Sequence, residues 1–285
     1  ENAGIIIASY GSASGLENPS MMHQYTPGIG TRSESGDLFG SALDSGDING
    51  DGYDDLVVGV PGEGIARKDR AGAVHVLYGS ENGLSGAGSD LLHQNTPGIK
   101  SNAETDDAFG QALAVADIDG DGAADIVIGI PGEDVGSKVD AGMIQVSYNP
   151  AGHTITPRTV LSLNQAVPGV AGSIKPNSNF GTFVLAADAN SDGTPDILVG
   201  TPNRSIGNKA DAGMVSYFPT VNGSPSLSTD VMYHVNKPEF SGAAQSGALF
   251  GTSITVLGTN IMIGAPGKTV AGLTNAGAVY YLTED

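Results

Sequence analysis

The chain has 285 residues, enough to bury a substantial core in one large all-β domain or in two smaller ones. Its 31 acidic residues exceed its 12 basic residues and give a formal net charge of −19, which argues against nucleic acid and anionic membrane surfaces as partners. The absence of cysteine excludes disulfides and thiolate chemistry. No apolar run approaches the roughly 20 residues that a membrane-spanning helix needs, so we expect no membrane insertion.

The first 30 residues match a segment that occurs later in the chain. The stretch from Ala3-Gly4 to Leu16 matches the stretch from Ala71-Gly72 to Leu84, and residues 23–29 match residues 93–99. The N-terminus therefore indicates the last strands of a repeated unit. One of these strands could complete the last unit of the chain and remove a free edge. Residues 4–10 would then be in excess, unless they cover an edge or the chain belongs to a larger ring.

A complete unit begins at Phe39-Gly40. A short apolar stretch follows, then an Asp-rich loop at residues 47–55, and then an apolar run that ends at Pro61. An Ala-Gly pair precedes a β-rich run that ends at Tyr78, and an outer segment at residues 92–99 closes the unit. Glycine turns separate these runs and no helical periodicity is present. Each unit therefore indicates three or four short strands.

The unit occurs four times, anchored at Phe39, Phe109, Phe180 and Phe250, with intervals of 70, 71 and 70 residues. Three or four strands in a unit of this length are typical of a propeller blade with long loops. A β-solenoid, whose coils are usually much shorter, is the alternative. We predict an all-β fold, a β-propeller of four-stranded blades in which residues 1–285 form one domain and residues 1–30 supply the last strands of a blade.

Three units contain a loop suited to calcium. Acids or an asparagine stand at loop positions 1, 3, 5 and 9, and the backbone carbonyl at position 7 adds an oxygen; hard cations prefer such ligands. Three copies in register argue against the alternative, in which the acids merely cap turns. The predicted ligands are Asp47, Asn49, Asp51, Tyr53 and Asp55 in the first loop, Asp117, Asp119, Asp121, Ala123 and Asp125 in the second, and Asp188, Asn190, Asp192, Thr194 and Asp196 in the third, with Tyr53, Ala123 and Thr194 acting through their carbonyls.

Five protein ligands leave a metal little open coordination, so the three calcium ions are predicted to be structural rather than catalytic. The second loop has four Asp residues and should bind most tightly. The negative net charge predicts that folding is coupled to calcium. The fourth unit keeps its strands between Ile254 and Pro266 but lacks every loop acid, which predicts a plain turn without calcium.

The remaining polar candidates recur from unit to unit, which favours structural roles because an active site is normally built once. Paired carboxylates could catalyse glycoside hydrolysis, but such a pair precedes each of the first two anchors and is therefore itself repeated. The four anchor phenylalanines are predicted to pack between blades, and the recurring histidines to be surface residues. The repeated polar residues are Glu34, Asp37, Glu63, Glu104, Asp107 and Glu133 among the acids, and His23, His93 and His234 among the histidines.

The order of Phe-Gly, Asp-rich loop and Gly-x-Pro resembles the FG-GAP repeats of the integrin α-subunit β-propeller and its bacterial and fungal relatives. The resemblance covers nearly the whole chain, with four Phe-Gly anchors and three intact loops. It implies calcium loops on one rim of the propeller and partner binding on the opposite face. The family's ring usually has seven blades, and four repeats depart from that number.

The favoured function is a non-catalytic recognition or adhesion module, secreted or at the cell surface, that binds a protein or a glycan. A lectin with pockets between blades is one alternative; the chain has no Trp, but nine Tyr and seven Phe could stack on sugars. A polysaccharide lyase or hydrolase is the other, with its catalytic group on an irregular loop at residues 149–158, 219–230 or 237–245. A homodimer or a missing partner segment would complete the ring.

Overall fold

The computed structural model describes residues 2–149 and 159–283. These residues form nineteen β-strands and no helix, so within them no helix is long and apolar enough to cross a membrane. The prediction of an all-β fold is confirmed. The first two strands, β1 (Ile6–Ser12) and β2 (Gly15–Met22), pair with each other and form an N-terminal hairpin.

The later strands form four antiparallel sheets, the predicted blades, which stand side by side with their first strands adjacent, as in a β-propeller. Blades 1 to 3 have four strands each and blade 4 has three. Blade 1 contains β3 (Ala42–Gly46), β4 (Asp55–Val60), β5 (Ala73–Leu77) and β6 (Asp90–Leu92), and blade 2 contains β7 (Ala112–Ala116), β8 (Asp125–Ile130), β9 (Met143–Tyr148) and β10 (Thr159–Leu163). Blade 3 contains β11 (Phe183–Ala187), β12 (Asp196–Thr201), β13 (Met214–Phe218) and β16 (Val231–Tyr233), with the small hairpin β14 (Thr220–Val221) and β15 (Ser224–Pro225) inserted before its last strand; blade 4 contains β17 (Ser253–Leu257), β18 (Asn260–Ala265) and β19 (Ala278–Thr283).

Because neighbouring strands of a blade run antiparallel, the connections of every blade lie at two opposite ends. The acidic rim holds the loops between first and second strands, residues 47–54, 117–124 and 188–195, together with the loops between third and fourth strands. The opposite rim holds the loops between second and third strands and the links between blades. All eleven Lys and Arg residues in the described part of the chain lie on the opposite rim.

The anchor phenylalanines join successive blades. Phe109, fully buried, forms a parallel bridge to Gly72 of blade 1, and its N–H donates to the carbonyl of Ala71 at 2.9 Å. The same N–H bond joins Phe39 to Ala3, Phe180 to Ala141, and Phe250 to Ala212. The four rings are at most 2% exposed, which confirms the prediction that they pack between blades.

Where an anchor phenylalanine packs on an Ala-Gly pair, the close approach requires the glycine, as at Gly4, Gly72, Gly142 and Gly213. Gly142 has a φ of +79°, and a Cβ there would overlap the backbone of Phe180. We expect Gly142→Ala to destabilise the protein by more than about 4 kcal/mol, the exceptional range for one substitution, because a backbone must move. Gly136 has a φ of +63° with open space around it, so Gly136→Ala should cost only about 1–2 kcal/mol. Chemical denaturation compares the two variants, and equal losses would contradict the steric explanation.

The N-terminal hairpin packs on blade 1 rather than completing blade 4. Ile6 and Met22 share a buried cluster with Phe39 and Val58. Among the described strands, β2 pairs with β1, and β19 pairs with β18. The strand pairing therefore does not show an N-terminal strand closing the last blade.

Candidate metal centres in the blade loops

The first loop is shaped by its own carboxylates. Asp47 accepts the backbone N–H of Asp51 at 2.9 Å and of Gly52 at 2.8 Å, and Asp51 accepts the N–H of Tyr53 at 2.9 Å. A φ of +91° at Gly52 lets the chain curl around these side chains. The other two loops repeat the pattern, with Asp117 accepting from Asp121 and Gly122, and Asp188 accepting from Asp192 and Gly193.

The last acid of each loop is buried and ties the loop to the end of the third strand. Asp125 accepts the N–H of Ile118 at 3.0 Å through Oδ2 and that of Asn149 at 2.9 Å through Oδ1. The equivalent bonds join Asp55 to Ile48 and Gly79, and Asp196 to Ala189 and Thr220. Burial raises the pKa of Asp125 to about 7 against the opposing effect of its backbone hydrogen bonds. A nearby cation would favour the ionised form of this carboxyl group.

The second loop brings three of its predicted ligands together. Asp117, Asp119 and Asp125 each offer an oxygen, and these oxygens lie within 4.8 Å of one another. Two ligands of one calcium ion lie at most about 5 Å apart, since each bond is 2.3–2.6 Å long, so the donor set fits calcium. Asp121 is outside this group, and its Oδ1 accepts the N–H of Ala123 at 3.0 Å.

The first and third loops have an amide in place of the second carboxylate. Asn49 donates from Nδ2 to Asp51 at 3.1 Å, and Asn190 donates to Asp192 at 2.9 Å. Each amide oxygen also accepts the N–H of the same aspartate at 2.9 Å. These two loops have one carboxylate fewer among their predicted ligands than the second loop, which is the basis of the expected order of affinity.

The small hairpin β14–β15 lies against the second loop. A Cβ at Gly223 would lie 3.0 Å from the Cα of Asp119, a tight contact, and the φ of +74° at this position also favours glycine. This hairpin occupies part of residues 219–230, which the sequence analysis identified as an irregular loop. Residues 150–158, in another region marked as irregular, lie outside the described residues.

The match to a family model falls on the units that contain these loops. The model of the FG-GAP repeat matches residues 39–77, 109–147 and 180–218. The chain is an FG-GAP repeat protein. Each matched range begins at a Phe-Gly anchor, includes one acidic loop and ends in the third strand of a blade. The fourth repeat lies outside the matched ranges, and there β17 and β18 join through a two-residue turn at Gly258 and Thr259.

Two groups of proteins share the FG-GAP region. The chain is 34% identical over 180 residues to the phosphatidylinositol-glycan-specific phospholipase D of Bos taurus, a match that covers 63% of this chain and 20% of the bovine protein. The protein of the same name from Dictyostelium discoideum is 30% identical over 210 residues, 69% of this chain and 21% of its own length. Integrin alpha-PS5 of Drosophila melanogaster is 44% identical over 100 residues, 34% of this chain and 9% of its length. The chain thus spans about a fifth of the phospholipases that it matches.

The FG-GAP units also contain buried carboxyl groups that the sequence assigned only to repeated structure. On the opposite rim, Gln94 donates to Glu133 at 2.5 Å and also bonds Asp107, although both acids are at most 8% exposed. Burial and the neighbouring Asp107 raise the pKa of Glu133 to about 8. The equivalent residues Gln24, Glu63 and Asp37 link the N-terminal hairpin to blade 1. The repeated acids were visible in the sequence, but their burial against a glutamine of the preceding unit was not.

The recurring histidines lie just after the outer strands and are half-buried. His93 Nδ1 accepts the backbone N–H of Asn95 at 3.1 Å, and the rings of His23 and His234 accept from Tyr25 and Asn236. They cap turns on the opposite rim. This contact gives the repeated histidines a structural role beyond that of surface residues.

Proposed function

We propose that this protein is a calcium-stabilised, non-catalytic recognition module of the adhesion type, which acts outside the cell and binds a protein or a glycan. The coarse assignment follows from the FG-GAP repeats shared with integrin alpha subunits. The observation that carries the calcium role is the convergence of Asp117, Asp119 and Asp125. When bound, calcium would supply positive charge that offsets their repulsion, and the predicted ligands Asp121 and Ala123 would complete the site.

The repeats favour a structural role for the metal over a catalytic one. Each acidic loop uses its side chains to fix its own backbone, and its last acid fixes the adjoining loop at the end of the third strand. A metal there would lock the loop rather than hold a substrate. Similar repeats occur in integrin alpha subunits and in phospholipases, so the shared region by itself gives no reason to assign phospholipase activity.

The opposite rim is the proposed ligand face. It combines all eleven described Lys and Arg residues with several acids, whereas the acidic rim has no Lys or Arg in the part of the chain that the structure describes. A surface of mixed charge offers hydrogen-bond donors and acceptors for protein side chains or sugar hydroxyls. Pockets between blades would make the protein a lectin, which remains the first alternative.

A binding screen tests the proposal. Purified protein is applied to a glycan array and to immobilised extracellular proteins, in calcium and in chelator, and is assayed for hydrolysis of a phosphatidylinositol-glycan. We expect calcium-dependent binding and no hydrolysis. Glycan binding alone would select the lectin, and hydrolysis lost on substitution of one carboxylate would contradict the non-catalytic assignment.

Two charge reversals test the ligand face. Lys68 is exposed on the opposite rim, and Glu81 is exposed on the acidic rim. Lys68→Glu should weaken binding of the ligand found in the screen, whereas Glu81→Lys should leave it unchanged. Because both side chains are exposed, both variants should fold. The reverse pattern would place the ligand on the acidic rim.

A further inference from the structure

Arg204 is a buried cation at a position where two other units have a carboxylate. It lies two residues after Pro202 on the opposite rim, as Glu63 lies after Pro61 and Glu133 lies after Pro131. The side chain is 4% exposed. The replacement of a glutamate by an arginine at this repeat position is visible in the sequence. The sequence pattern alone does not show that Arg204 is buried.

The guanidinium group of Arg204 has only weak partners. Its two terminal nitrogens lie 3.5 Å from Ser178 Oγ and 3.4 Å from Ser173 Oγ. Within residues 2–149 and 159–283, no carboxylate lies at ion-pairing distance from it, and Asp230 instead accepts the backbone N–H of Ala171 at 2.6 Å. Burial lowers the pKa of Arg204, and among the described residues no neighbouring charge offsets this effect.

A buried arginine without an anion is unfavourable, because the lost hydration of the charge is not replaced. The same junction also lacks the second acid of the earlier units, because Ser178 occupies the repeat position of Asp37 and Asp107. The acid pair of the earlier units is thus replaced by a guanidinium group and a hydroxyl group. A guanidinium fork binds a planar or tetrahedral oxyanion through two parallel N–H bonds, and serine hydroxyls can donate further bonds.

We propose that Arg204, Ser173 and Ser178 form an oxyanion site at the junction of blades 2 and 3, which takes a carboxylate or sulfate group. Ser178 is buried beside Arg204, whereas Ser173 and Gly172 are exposed, so the anion enters from the opposite rim past Ser173. The site uses no residue of the acidic loops. It does not depend on the proposed recognition function, although it could hold the acidic group of a ligand.

The test is an NMR titration of the labelled protein with sodium sulfate and, separately, with sodium acetate, each at ionic strength held constant with sodium chloride. We expect saturable shifts of the backbone amides of Ser173, Ser178 and Arg204 at millimolar anion. Binding by either anion supports the oxyanion site, and the tighter one identifies the preferred group.

Arg204→Gln should weaken binding by at least about tenfold, since it removes charge-assisted hydrogen bonds. Lys209→Gln is the matched control, because Lys209 is an exposed cation in the same loop. Arg204→Glu provides a second variant, since the fold accommodates glutamate at this repeat position in blades 1 and 2. Shifts that do not saturate, or that are equal in the Arg204→Gln and Lys209→Gln proteins, would overturn the proposal.

Discussion

Replacing Asp121 by alanine should lower the unfolding temperature in calcium far more than replacing Asp69. Asp121 is a predicted ligand in the loop where the oxygens of Asp117, Asp119 and Asp125 converge, and it also holds the N–H of Ala123. Asp69 is an exposed acid in a loop of the opposite rim, so its loss removes the same charge without touching an acidic loop. A ligand that binds only the folded state at 100 times its dissociation constant stabilises it by about 2.7 kcal/mol.

Thermal unfolding in calcium and in chelator separates the metal effect from the loss of a hydrogen bond. The wild type and Asp69→Ala should lose similar stability on chelation, whereas Asp121→Ala should lose less because one site is already impaired. Asp119→Asn reproduces the amide of the other two loops and should weaken the site without abolishing it. Equal melting temperatures for Asp121→Ala and Asp69→Ala in calcium would show that the ligand assignment is wrong.

The acidic loops could be predicted from sequence because most of their bonds are local. Asp47, Asp51 and Tyr53 lie within seven residues of one another, so spacing alone places them in one turn. The bond from Asn149 to Asp125 spans 24 residues and depends on the position of the third strand of the blade. Sequence spacing could not reveal that the last acid is buried and bonded on both of its oxygens.

The blades themselves followed from repetition, because a pattern of short apolar runs and glycine turns can be stacked in few ways. The contacts at the junctions between blades could not be predicted from this repetition. Phe109 and Ala71 both stood out as repeat landmarks, yet only the structure shows that they bond each other. Arg204 illustrates the same limit: the residue type was visible in the sequence, but its burial and its distance from any described carboxylate depend on contacts between blades.

Replacing Glu133 by glutamine should stabilise the protein above neutral pH and have little effect near pH 4. Burial and the neighbouring Asp107 raise the pKa of Glu133 to about 8, from 4.5. In the folded protein the group faces Asp107, Glu104 and Asp134, and its uncharged hydrogen-bond donor is Gln94. The structure therefore favours the protonated acid, which glutamine imitates without being able to ionise.

The sign follows from proton binding. Below pH 4.5 the acid is neutral in both states and costs nothing; between pH 4.5 and about 8 the unfolded chain releases the proton while the folded protein keeps it, so stability falls as pH rises. Each pKa unit is worth about 1.4 kcal/mol, so the gain from Glu133→Gln at pH 8.5 should be on the order of a few kcal/mol.

Denaturation of both proteins from pH 4 to 8.5 at constant calcium measures this gain in stability. Glu104→Gln is the control, because it removes an exposed charge beside the same pair of acids. A gain from Glu133→Gln that does not grow with pH, or an equal gain from Glu104→Gln, would contradict a stability effect specific to the raised pKa of Glu133.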